Sequence, residues 1–189
     1  MLECMLKTDP GSNEKPTRSI ASLFAVVSLA AATALPRAVE SDASILAALP
    51  KFVPEAGLPE VPAELVKQLF SSANTGTSLT KRSVHCETSG GSPSTGDAQA
   101  ASRYIQSLGH GNSCCQNNSG GSWCTTMWCT GSACVGICNN SPAISFPGCD
   151  FCDDAGNGLL DISNSCSSGG RSGGWADAPY DLHLVLFHS

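Results

Sequence analysis

Ten cysteines fall between residues 86 and 166. They are Cys86, Cys114, Cys115, Cys124, Cys129, Cys134, Cys138, Cys149, Cys152 and Cys166, ten of the chain's eleven. The eleventh, Cys4, lies far upstream. Thiolates can ligate zinc, run redox exchange or close disulfides, and spacing and compartment decide among these. Cys149-Asp150-Phe151-Cys152 has the C-x-x-C spacing at a predicted helix start, where a low thiolate pKa would suit redox work. Zinc would need two more thiolates or imidazoles nearby. An even set confined to one small region reads instead as a framework of five disulfides when the chain is secreted. No metal and no cofactor is expected.

Other chemistry is thinner. Serines are plentiful, and His85, His110, His183 and His188 are available as bases. No Gly-x-Ser-x-Gly elbow and no zincin helix accompanies them. Asp150, Asp153 and Asp154 could pair as glycosidase carboxylates. Their place at a predicted helix start, as an N-cap box facing the helix dipole, already accounts for them. They lack the regular oxygen spacing of a calcium loop. No catalytic residue is assigned, and the chain is not expected to be an enzyme. Trp123, Trp128 and Trp175 could stack on sugar rings, so they are candidate ligand contacts; the competing expectation is that at least two are core.

The cysteine framework needs secretion, and the N-terminal half supports it. Ile20 to Ala34 is an uncharged run, preceded by Lys7, Lys15 and Arg18. A membrane span needs roughly 20 apolar residues, and this run is shorter. It ends in Ala32-Thr33-Ala34, small residues where a signal peptidase reads. Residues 1–34 are therefore expected to be a signal peptide with an N-terminal extension, cut after Ala34. Residues 35–82 are interrupted by Pro36, Pro50, Pro54, Pro59 and Pro62 and carry no cysteine. Short helical patches are possible, as at Pro62 to Phe70, where Leu65, Val66, Leu69 and Phe70 share a face. The block has too little apolar surface for a core of its own. It ends at Lys81-Arg82, which resembles the dibasic cleavage site of a subtilisin-like processing protease of the fungal secretory pathway. Residues 35–82 are read as a pro-segment and 83–189 as the mature domain.

The mature domain's charge excludes several functions. Its only cationic side chains are Arg103 and Arg171, against eight carboxylates, and every lysine lies upstream. Neutralising a polyanion takes several Lys or Arg. Nucleic acid, heparin-like partners and anionic headgroups are therefore excluded. Without lysine there is no Schiff base and no P-loop. Large apolar residues are sparse, which makes the core marginal for roughly 100 residues. Five disulfides, each worth about 2–4 kcal/mol, would compensate. Asn117-Asn118-Ser119 and Asn139-Asn140-Ser141 are glycosylation sequons, so Asn117 and Asn139 are candidate glycan sites.

Six elements must position these groups. Ser83–Thr88 is a short predicted strand. Ser94 and Asp97 cap a predicted helix over 95–108, with Ala98, Ala101, Ile105 and Leu108 as its stripe and Gly109 as its stop. Residues 110–122 are expected to be a loop. Trp123–Thr130 and Ser132–Asn139 are predicted strands joined at Thr130-Gly131. In an extended strand Cys134 and Cys138 lie about 13 Å apart, beyond the roughly 7 Å that a disulfide spans. They must therefore bond two different partners. Cys152, Ala155, Leu159, Ile162 and Cys166 mark a second helix, which Gly156 and Gly158 weaken by about 1 kcal/mol each. Ser167–Ala178 is expected to be a glycine-rich connection, and Asp181–His188 a strand with Leu182, Leu184 and Leu186 on one side. The order β-α-β-β-α-β implies an α+β fold: an antiparallel sheet of about four strands with two helices on one face, a small disulfide-rich α/β sandwich.

Gly91-Ser92-Pro93-Ser94 leads into a helix ending at Leu108-Gly109. A cysteine-bounded helix (Cys152 to Cys166), a glycine-rich turn and a final hydrophobic strand follow. This pattern, with the leader and dibasic junction, resembles the small secreted cysteine-rich proteins of fungi, of the killer-toxin-like and necrosis-inducing effector type. The resemblance spans most of 83–189. It implies an α/β sandwich and a toxin or host-directed effector role without catalysis. Killer toxins of this type are often basic and this domain is acidic, so no functional residue is carried over.

The expected protein is secreted, proteolytically processed and disulfide-stapled. It acts by binding an extracellular target: a host or competitor cell surface, or a cell-wall polysaccharide. Once processed, it has no transmembrane segment. Loops 110–122, 139–149 and 167–180 are the expected binding elements. The alternatives are a chitin- or glucan-binding module and a secreted hydrolase.

Overall fold

Ser94 opens a helix, as its residue type favours. Its side chain accepts the Asp97 N–H at 3.1 Å, and α3 then runs Thr95–Ser107. Gly109 ends it with φ +76°, a conformation that costs glycine little. In this computed structural model the described residues are 42–72, 82–118, 123–140 and 148–189, all within the unit Val39–Ser189. Cys4, the leader with its junction at Ala34, Lys81, and parts of two expected binding loops (119–122 and 141–147) lie outside the described residues.

Eleven elements follow in order: α1 Asp42–Ala48, α2 Ala63–Ser72, β1 Val84–Cys86, α3, β2 Ser113–Cys115, β3 Cys124–Thr130, β4 Ala133–Asn139, β5 Cys149–Phe151, α4 Cys152–Ser165, β6 Gly174–Ala178 and β7 Leu182–His188. The main sheet has five strands in the order β1-β6-β7-β4-β3, and β2 pairs with β5 in a second, two-stranded sheet. Every pair is antiparallel. The class is therefore α+β, as expected, but the sheet is larger than four strands. No helix among the described residues is long and apolar enough to cross a membrane.

The strands that sequence reasoning left out lack alternation of their own. β6 reads Gly-Trp-Ala-Asp-Ala and is held extended by β1 on one edge and β7 on the other. Strand propensity is mostly a matter of fitting such neighbours. The expected glycine-rich connection over 167–178 is thus corrected at 174–178. β2 likewise sits in a stretch expected to be a loop, and β5 at the junction of an expected loop and helix start; each is three residues long, and Cys115 at the end of β2 is cross-linked to Cys149 at the start of β5.

Two apolar clusters flank the sheet. In the first, Val135 and Ile137 of β4 and Leu182, Leu184 and Leu186 of β7 meet Ala98, Ala101 and Ile105 of α3 and Ala155, Leu159 and Ile162 of α4. Gly156 has a structural reason in this cluster. A Cβ there would lie 2.3 Å from the Gln106 backbone nitrogen, so α4 and α3 touch along their main chains. In the second cluster, Cys124, Cys134, Cys138, Trp175, Val185 and Phe187 pack against Val61, Leu65, Val66 and Leu69. Those four residues belong to the expected pro-segment. The segment has no core of its own and completes its burial on the sheet.

All ten cysteines are paired: Cys86–Cys166, Cys114–Cys152, Cys115–Cys149, Cys124–Cys138 and Cys129–Cys134. Cys134 and Cys138 take different partners, both on β3, each directly across the β3–β4 ladder. The two cysteines of the C-x-x-C bond two different partners and not each other. Asp97 adds a tie that its capping role did not predict. Its Oδ2 accepts the Ser132 N–H at 2.9 Å and the Ser132 hydroxyl at 2.7 Å, which fixes the β3–β4 turn. These bonds, led by the backbone one, hold its carboxyl below the usual range.

Candidate binding surface

The segment ahead of residue 82 touches the domain along its described length. Leu46 of α1 is buried, 4% exposed. The chain then lies beside β2: Lys51 bridges Ser113 in parallel, Phe52 N–H donates to Ser113 O at 2.8 Å, and Ser113 N–H donates to Pro50 O at 2.9 Å. Phe52 meets Tyr104 edge-on, and Tyr104 stacks on Trp128 with centroids 4.0 Å apart. The Thr126 hydroxyl donates to Pro59 O. The segment ends as α2 over the sheet.

Sequence spacing explains the α2 contact. Leu65, Val66 and Leu69 form one stripe, all buried, with Leu69 fully so. Glu64 and Lys67 face water and pair at 2.8 Å. Beneath the helix, β4 offers Cys134, Gly136 and Cys138. A Cβ on Gly136 would lie 3.0 Å from Thr125 O and from Val185 Cγ2, and 3.3 Å from Val61 Cγ2. The missing side chain lets the segment approach the strand. Cys124–Cys138 and Cys129–Cys134 brace the same face.

A polar corner borders this face. His85 stacks on Trp175 at 3.7 Å, and His183 meets Trp175 edge-on at 4.9 Å. His183 is 2% exposed. Its Nε2 lies 3.0 Å from Asn140 Oδ1. Its Nδ1 lies 3.1 Å from Asp177 Oδ1 but is poorly directed for a hydrogen bond. Burial pushes the His183 pKa down, and Asp177 only partly offsets this.

At the other end of the segment, the Arg82 guanidinium donates to the Asp154 carbonyl at 2.7 Å. It also lies across Gly158, where a Cβ would sit 2.6 Å from its Nη1. Arg82 draws on Asp150, a carboxyl only 1% exposed. Asp150 Oδ1 accepts the Phe151 N–H at 2.9 Å, and Oδ2 has no partner. Burial pushes this acid up to about 7, against the pull of Arg82. The expectation that Asp150 caps α4 is therefore corrected. Phe151 is the N-cap residue, without a side-chain cap bond, and Asp153 and Asp154 occupy the first turn.

The remaining expected site residues scatter. Trp175 is 3% exposed inside the second cluster, so it offers no ring to a sugar. Trp128 packs against the first cluster and Tyr104. The three tryptophans therefore form no single stacking platform. Trp123 is half-buried at the start of β3, with φ 56°. Asn117 is exposed, as a glycan requires. Asn139 is fully buried with both amide atoms unpartnered, which leaves no room for a glycan on the folded chain. His110, Asp153 and Asp154 come within ligand distance of one another. His110 is already engaged, 3.0 Å from Asp153 Oδ1 and stacked on Phe151.

Sequence reasoning found the α2 stripe but not its seat. The missing signal was the back of β4 and β7: Cys134, Gly136, Cys138, Val185 and Phe187 are too apolar for a solvent face. No family model, curated protein or solved structure matches the chain.

Proposed function

We propose that the chain is the precursor of a secreted, disulfide-stapled binding protein of the effector or killer-toxin-like kind, without catalytic activity. One observation carries the reading. All five disulfides lie within 86–166, whereas residues 42–72 adhere to the domain without any disulfide. That division suits a precursor whose front part is separable and whose remainder must survive outside the cell. Disulfides of this density fit an oxidising compartment. The acidic, lysine-poor domain points to a protein or neutral-glycan target rather than a polyanion.

Mass spectrometry of protein from the culture medium tests this. The expected species begins at Ser83 and is ten hydrogens lighter than its reduced form. Free thiols, or a chain that stays inside the cell, would refute it.

A further inference from the structure

We propose that the sheet face under α2 is a helix-binding surface. The precursor closes it with its own residues 61–72, and the processed domain presents it to an amphipathic helix of a target protein. This deepens the precursor reading above and rests on a cut after Arg82.

The occupant seen on the face defines what the face accepts. It is a helix with apolar residues at Leu65, Val66 and Leu69, and its opposite side is charged and solvated. Such spacing is the signature of helix-in-groove recognition. The face is built to keep its form without the cover. Two cross-strand disulfides join residues directly opposite on β3 and β4, and Gly136 leaves the shallow track that the segment occupies. Trp175, Val185 and Phe187 supply the apolar floor. Uncovered, such a floor is what marks a protein-interaction site.

The cut changes how strongly the cover holds, without altering any contact. In the intact chain only residues 73–81 join α2 to Arg82, so the helix meets its seat at an effective concentration of roughly millimolar. After the cut the same contact is bimolecular, and dilution favours dissociation. No cysteine lies between Cys4 and Cys86 to retain the cover.

The test uses the full chain with its disulfides intact. The chain is cut after Arg82 with a dibasic-specific endoprotease, diluted and gel-filtered. A fluorescent peptide of residues 61–72 is then titrated against cut and uncut protein by anisotropy. The cut protein is expected to lose its cover and bind the peptide, with the uncut chain weaker by roughly 100-fold or more. The peptide carrying Leu69→Asp should not bind. A cover that co-elutes with the domain at nanomolar concentration would overturn the proposal, since the segment would then be a permanent layer. A released domain that ignores the peptide, or precipitates, would overturn it too. If the endoprotease leaves Arg82 intact, that failure counts against the processing reading; a protease site substituted within 73–80 still opens the chain and decides the question of the face.

Discussion

Replacing Asp150 by asparagine isolates one buried acid whose cost depends on pH. In the folded chain burial pushes its pKa up to about 7, while an unfolded aspartate titrates near about 3.9. Below pH 4 both states carry the proton, and the residue costs nothing through ionisation. Between pH 4 and 7 the folded state keeps a proton that the unfolded state has lost, so stability falls as pH rises. Above pH 7 the penalty is complete. The span between the two pKa values corresponds to about 4 kcal/mol. Asp150→Asn removes that penalty. Its amide oxygen can still accept the Phe151 N–H, but its NH2 group takes the place of the unpartnered Oδ2. The neutral acid has one O–H donor at that position and the amide two N–H groups, and the additional buried unpaired donor costs about 1–3 kcal/mol at every pH. At pH 3 the variant should therefore be less stable than the native chain by that amount, and by pH 8 the order should reverse by roughly 1–3 kcal/mol. Urea unfolding of the oxidised, uncut chain at the two pH values reads this directly. The other titrating groups are common to both proteins and cancel in the difference. Parallel stability profiles would refute the argument, because they would mean that Asp150 is ionised and solvated in the folded chain.

His183 should act in the opposite direction. Burial holds its pKa below the ordinary value, so the folded state resists the proton that the unfolded state takes up as pH falls below about 6.5. The native melting temperature should therefore fall relative to that of His183→Gln as pH drops over that range, whatever the shared groups do to both. Gly156→Ala should lower the melting temperature, although alanine gains about 1 kcal/mol in helix propensity. The new methyl would strike the Gln106 backbone and force α3 and α4 apart. Peptide mapping of secreted protein should find glycan at Asn117 and none at Asn139, where the side chain is fully buried.

What could be read from sequence depended on how local the cause was. α3 is specified by its own residues: a serine cap, an alanine and isoleucine stripe, and a glycine stop. β7 is equally local, because Leu182, Leu184 and Leu186 alternate with His183, Val185 and Phe187. The even cysteine count announced five bridges, and extended geometry separated Cys134 from Cys138. β6 was hidden because its extended form comes from β1 and β7 and not from Gly-Trp-Ala-Asp-Ala. Asp150 looked like a cap because helix-start chemistry is local, whereas its burial comes from the surrounding tertiary structure. Gly156 looked like a defect for the same reason: only the nearness of Gln106 shows what it is for.

The sheet's two sides differ in how they are closed, and this decides where function is to be sought. The side carrying Leu182, Leu184 and Leu186 meets α3 and α4, and α4 is fastened by Cys86–Cys166 at its end and Cys114–Cys152 at its start. α4 cannot leave that side without reduction. Among the described residues, the side carrying Val185 and Phe187 is covered by Val61, Leu65, Val66 and Leu69, which are joined to the domain through the peptide chain. If burial were the sole requirement, a cover bearing one cysteine would hold it permanently. Instead Cys129–Cys134 and Cys124–Cys138 brace the strands beneath the cover, and no bridge reaches the cover itself. Bridges placed there preserve the shape of a face that can lose its helix, which is the property a recognition surface needs.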